Sequence, residues 1–97
     1  MFLKHAPYYS MQFPRRNTTI IPQNEEEMQN IAQILSRSNI SYDSSTKGRI
    51  IIKMKPIDTL LKIDHYLKEN KANELSNAKL ANIIKNDFKT ISLLKAL

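Results

Sequence analysis

The chain has no cysteine, no tryptophan and a single glycine among its 97 residues. Without cysteine there is no disulfide staple, no thiolate metal site and no thiol nucleophile, a composition that suits a reducing compartment. A cytoplasmic location is the expectation. One glycine, Gly48, cannot build the glycine-rich loops that cradle phosphates. No stretch approaches the ~18 consecutive apolar residues of a membrane span, so no membrane partner is expected. Residues 1–23 lack the apolar stretch of a secretory signal. They are acid-free and carry Arg and Ser, a trait of organellar transit peptides, but Pro7 and Pro14 would interrupt an amphipathic helix there.

What is present fits one small folded domain. Hydrophobic residues make up 41% and charged residues 25%, which argues against wholesale disorder. The formal net charge is +6, and it is unevenly spread. Residues 1–22 hold Lys4, Arg15 and Arg16 and no acid; residues 23–48 are net acidic through Glu25, Glu26, Glu27 and Asp43. From Arg49 onward there are ten basic residues against five acidic ones. A basic second half suits a nucleic acid or another polyanion as partner, although lysines also serve simply to solubilise a surface.

Residues 1–17 show no clean period and read as a basic, aromatic arm broken by prolines, ahead of a single domain over 18–97. Thr18-Thr19-Ile20-Ile21 is β-branched throughout and is ended by Pro22, the pattern of a short strand. Asn24 then reads as a helix N-cap. Three glutamates fill the first turn, with Glu27 placed for a capping box. Met28, Ile31, Ala32, Ile34 and Leu35 follow at helical spacing, so a helix is predicted over 25–37, closed near Asn39. Ile40-Ser41-Tyr42 and Arg49 to Met54 read as two strands joined by a polar turn ending in Gly48. In the second strand Ile50 and Ile52 should point opposite to Ile51. Pro56 opens a second helix whose stripe is Ile57, Leu60, Leu61, Ile63 and Leu67.

Residues 70–74 read as a linker and Ser76 as the cap of a third helical stretch. The end of the chain leaves three options: one long helix over 77–97, a helical hairpin restarted at Asp87, or a final strand over 89–94. Helix is favoured over strand because 88–97 does not alternate. The resulting fold class is α+β. A small antiparallel sheet has β-α-β-β-α order, the opening of a ferredoxin-like or split β-α-β arrangement, followed by a helical C-terminal segment over 76–97. Both helices would cover one sheet face, leaving the other open or covered by the C-terminal segment.

Three stretches are candidates for binding. Ala78 to Leu94 resembles the helix-turn-helix of the lactose-repressor class: Leu80-Ala81 stands as the apolar pair of its first helix, and Thr90-Ile91-Ser92 opens the second. The resemblance implies DNA binding, with Lys85, Lys89 and Lys95 on phosphates and Thr90 and Ser92 at the start of the recognition helix. It departs from the pattern at the turn, where Lys85 replaces the glycine and Asn86 the apolar residue. A single amphipathic helix packed on the sheet is the competing reading. In the arm, Tyr8, Tyr9 and Phe13 interleaved with Arg15 and Arg16 suit base stacking with phosphate contact, or else the aromatics fold back into the core. In the hairpin, Arg49, Lys53 and Lys55 share one parity, near Lys47. Such a row could hold phosphates or guard a sheet edge against aggregation.

Catalysis has little to draw on. His5 and His65 are the only histidines. Asp64 and His65 point to different sides of a helix, and His65 and Glu69 make an ordinary i,i+4 pair. No acid–base pair, metal-ligand set or cofactor motif can be assembled, and neither cofactor nor metal is expected. Two function classes remain, a small basic nucleic-acid-binding protein and a protein-interaction or assembly module, homo-oligomer included. The charge asymmetry favours the first.

Overall fold

The computed structural model describes residues 2–4, 8–13, 17–44, 46–70 and 77–96, of which 2–4 and 95–96 are described by their backbone alone. Its elements run β1 (Phe2–Lys4), β2 (Ser10–Gln12), β3 (Thr18–Ile21), α1 (Glu25–Arg37), β4 (Ile50–Ile52), α2 (Pro56–Glu69) and α3 (Ala78–Ala96). The four strands form one antiparallel sheet in the order β1-β2-β3-β4. The fold is α+β, with all three helices following the order expected from β3 onward. The second strand expected over 40–42 shrinks to one bridge: Asp43 N–H and C=O exchange bonds with Ile51 at 2.9 and 2.8 Å. That bridge and β3 lie on opposite sides of β4, so the β3–α1–bridge unit is split by an inserted strand, as the split β-α-β order requires.

Two stretches of the segment read as an arm, Phe2–Lys4 and Ser10–Gln12, are strands of this sheet. For the second of them the local pattern supplies a reason. Tyr9-Ser10-Met11-Gln12-Phe13 alternates apolar and polar, the period of a half-buried strand, and Tyr9, Met11 and Phe13 are all buried.

Helix α1 forms where its caps dictate. Asn24 Oδ1 accepts the Glu27 N–H at 2.9 Å, and Glu27 Oε1 accepts the N–H of Gln23, one residue before the cap, at 2.8 Å. At its other end Asn39 takes the left-handed conformation, φ 59°. Ile40 N–H reaches Leu35 O at 2.9 Å and Asn39 N–H reaches Ser36 O at 3.2 Å, the two bonds of a Schellman cap. Helix α2 starts at Pro56, where the missing N–H costs nothing.

The core lies between one sheet face and the helices. Met11, Ile20, Ile50 and Ile52 come from the strands, Ile31, Ile34 and Leu35 from α1, Ile63 and Leu67 from α2, and Leu80, Ala81, Ile84, Phe88 and Ile91 from α3. Two buried oxygens in it, Tyr66 Oη and Thr18 Oγ1, have no hydrogen-bond partner among the described residues. A buried, unsatisfied hydroxyl costs about 1–3 kcal/mol. Tyr66→Phe is therefore expected to leave the urea midpoint unchanged or to raise it. A drop equivalent to more than about 1 kcal/mol would mean that this hydroxyl is satisfied in solution.

Candidate binding surfaces

Strand parity creates the first surface. In β2, β3 and β4 the residues that face the helices are fully buried, and their neighbours Ser10, Gln12, Thr19, Ile21 and Ile51 are only half-buried. The sheet is thus closed on one side and open on the other. The register sets Gln12 beside Thr19 and Thr19 beside Ile51, giving the open face a hydroxyl, amide and aliphatic centre. Arg49 and Lys53 continue the outward parity of Ile51 at either end of β4. Both are exposed, and neither makes an ion pair with another described residue. Ser41, Tyr42, Asp43, Ile51 and Lys53 wall a shallow pocket of about 220 Å³ at the β4 margin of this face. Lys55 does not extend the row. The chain bends at Met54, and Lys55 becomes the residue before the first turn of α2, so the strand is too short to carry it on the same face.

The second surface is the outer side of α2 and α3, where the structure overturns the helix-turn-helix resemblance. Residues 78–96 form one continuous helix, with Lys85 and Asn86 in its middle and Asp87 and Phe88 buried. Leu80, Ile84, Phe88 and Ile91 hold a single apolar stripe across the supposed turn, and no glycine or proline interrupts it, so propagation of the helix wins. The same finding removes the hairpin and final-strand options. No recognition helix exists for Thr90 and Ser92 to open. Their hydroxyls bond back along α3, Thr90 Oγ1 to Asn86 O at 3.1 Å and Ser92 Oγ to Phe88 O at 2.7 Å.

Lys85 is also committed. Its Nζ lies 3.3 Å from Asp64 Oδ1, and Lys68 Nζ lies 2.9 Å from Oδ2 of the same carboxylate. The hydrogen bond from Lys68, reinforced by Lys85, holds the Asp64 carboxyl below its ordinary range despite its partial burial. This cluster ties α2 to α3 rather than offering Lys85 to a phosphate. Lys89 stays exposed on α3. The Lys95 side chain, Arg15, Arg16, His5 and Ser76 lie outside the described residues.

The basic residues singled out from sequence therefore do not converge. Arg49 and Lys53 sit on the open sheet face, whereas Lys89 belongs to the helical layer behind the sheet. The aromatics of the arm are likewise taken up by the fold. Tyr9 and Phe13 are core residues, and Tyr8 packs half-buried against the core. The Tyr9 hydroxyl donates to Asp87 Oδ2 across the interior.

A third surface, missed at the level of sequence, is a cleft of about 550 Å³ between the start of α1 and the start of α3, bordered by Tyr8, Glu26, Asn30, Asn77 and Lys79. Its walls come from residues more than seventy positions apart, so no local pattern could announce it. His65 and Glu69 form the expected exposed helix pair at 3.1 Å. Among the described residues no three His, Asp or Glu side chains converge as metal ligands, and no helix is long and apolar enough to cross a membrane. Compared with known families, curated proteins and solved structures, the chain matches none.

Proposed function

We propose that this domain is a non-enzymatic binding protein that meets a nucleic acid across the open face of its sheet, with Arg49 and Lys53 on phosphates. The observation that carries this reading is the asymmetry of the sheet. One face is sealed by three helices. The other presents two exposed cations without ion-pair partners among the described residues, on either side of a centre of hydrogen-bonding and aliphatic side chains. The net charge of +6 adds long-range attraction for a polyanion. Because Tyr9 and Phe13 are in the core and Tyr8 packs against it, phosphate contacts and hydrogen bonds dominate this interface, and little sequence preference is expected.

The test is fluorescence anisotropy against single-stranded RNA, single-stranded DNA and duplex DNA, at low and physiological salt. Affinity should fall log-linearly with salt, and Arg49→Glu with Lys53→Glu should weaken binding at least about tenfold and flatten the salt slope by roughly two phosphates' worth. Lys89→Glu, on the opposite side of the sheet, should change it little. Absence of binding at low salt, or a double variant that binds like the parent, would sink the proposal.

A second reading, a protein-interaction module, rests on a different surface. Ile57, Leu61 and Leu93 are 46%, 58% and 62% exposed on the outer side of the helical layer.

A further inference from the structure

That outer surface has a definite layout. On α2, Ile57, Leu61, Asp64 and Lys68 recur at spacings of four, three and four and share one stripe; on α3, Lys85, Lys89 and Leu93 recur at four and share another. The Lys85–Asp64 contact joins the two stripes along the seam between the helices. Only eight residues separate Glu69 from Ala78, a connection length that sets neighbouring helices antiparallel. Counting the helical rise away from Asp64 and Lys85, Leu61 lies level with Lys89, Ile57 with Leu93, and, in the other direction, Glu69 with Lys79. The apolar side chains thus gather toward one end of the face. The exposed Lys68 of the α2 stripe is paired with Asp64 at 2.9 Å; beyond that pair Asp58 and Glu69 are exposed acids on α2, while the described part of α3 exposes Lys79 and Lys89 and no acid.

We infer that this face pairs with a second copy of the chain, about a two-fold axis running along the α2–α3 seam. Such an axis lays α2 of one copy over α3 of the other at the same level. Ile57 and Leu61 then meet Leu93 of the second copy, Asp58 faces its Lys89, and Glu69 faces its Lys79. Each pairing occurs twice, so the apolar ends and these two charge pairs are self-complementary. The dimer is a four-helix layer with the two open sheet faces turned outward. It presents two copies of the proposed nucleic-acid surface without depending on that function. A face about 21 Å long and two helices wide covers on the order of 400–500 Å² per copy, roughly half of a standard interface, so the dimer is weak and reversible.

Sedimentation of the full chain at physiological salt, from low to several hundred micromolar, reads this directly. The weight-average mass should climb from 11.3 kDa toward twice that value as concentration rises. Leu61→Glu should hold it at the monomer mass, with an unchanged circular dichroism melt because the side chain is exposed. Asp58→Lys and Lys89→Asp should each shift the dimerisation midpoint to at least about tenfold higher concentration, and the double swap should restore it. A chain that stays monomeric at every concentration overturns the inference. So does a dimer indifferent to Leu61→Glu, or one that the double swap fails to restore.

Discussion

Asn86→Pro should destabilise the domain by about 3 kcal/mol or more, read as a fall in the urea midpoint. Asn86 is exposed, so its side chain contributes almost nothing to packing, and the effect isolates the backbone. In a continuous α3 a proline there removes one i→i−4 hydrogen bond and drives its ring into the carbonyl four residues back. It would also misalign the stripe on either side, Leu80 to Ile84 and Phe88 to Ile91, all buried in the one core. A domain of this size has some 5–15 kcal/mol of total stability, so the loss is a large fraction of it. The control is Asn86→Ala, which should be neutral or mildly stabilising because alanine has the higher helix propensity. A turn at 85–86 would invert the expectation, since turns accept proline and resist continuous helix formers. A proline variant as stable as the parent would contradict a single α3.

The same region shows why the C-terminal half could be read two ways from sequence. Leu80, Ala81, Thr90 and Ser92 fit the positions of a helix-turn-helix because any amphipathic helix of that length supplies apolar pairs at similar spacing. What separates the two is whether the stripe keeps phase through the middle, and Ile84 and Phe88 keep it. The elements with strong local signals were legible. Asn24, Glu27 and Asn39 set the ends of α1 through their own hydrogen bonds, Pro56 set the start of α2, and the β-branched run of β3 needed no tertiary help. The alternation of Ile50, Ile51 and Ile52 is enough by itself to put Arg49 and Lys53 on one face, because a strand of any length carries a period of two.

The N-terminal segment was less legible for a physical reason. Its strands are three residues long and separated by prolines, and such strands exist only when a neighbour supplies the ladder. Met11 is buried because Ile20 is beside it, and Ile20 is nine residues further on. Pairing over that distance leaves only a short alternating run in the sequence, Tyr9 to Phe13. The fate of Lys85 was hidden for the same kind of reason. Nothing local says that a lysine on α3 will meet Asp64 on α2, and that contact decides whether its charge is spent inside the protein or offered to a ligand.

Tyr9 should prove to be one of the most sensitive positions in the chain, which would be surprising for a residue of a peripheral arm. It is among the largest fully buried side chains, and its hydroxyl donates to the buried carboxylate of Asp87 on α3. Tyr9→Ala removes a ring from the core, at a cost of about 3–5 kcal/mol, and also takes a donor from a buried acid; a total of about 4 kcal/mol or more is expected. Tyr9→Phe keeps the ring and removes only the donor, so it should cost about 1–3 kcal/mol.

The two contributions also separate by pH. Burial above all, then the bond to Asp87 and the negative charges of Asp87 and Glu27, push the phenol's pKa well above its ordinary value of 10.0. A group whose folded pKa is raised contributes stability that is fully present below the unfolded pKa and is lost as pH climbs past it. Above about pH 10 the unfolded chain releases the Tyr9 proton and the folded one does not, so this group alone should lower stability by about 1.4 kcal/mol per pH unit. Urea midpoints measured from neutral pH to beyond pH 11 should therefore fall more steeply for the parent than for Tyr9→Phe, so that the two curves approach each other with rising pH. Parallel curves would mean that the Tyr9 phenol ionises as readily folded as unfolded, and that the link from the first residues of the sheet to α3 is not the closed, water-excluded contact described above.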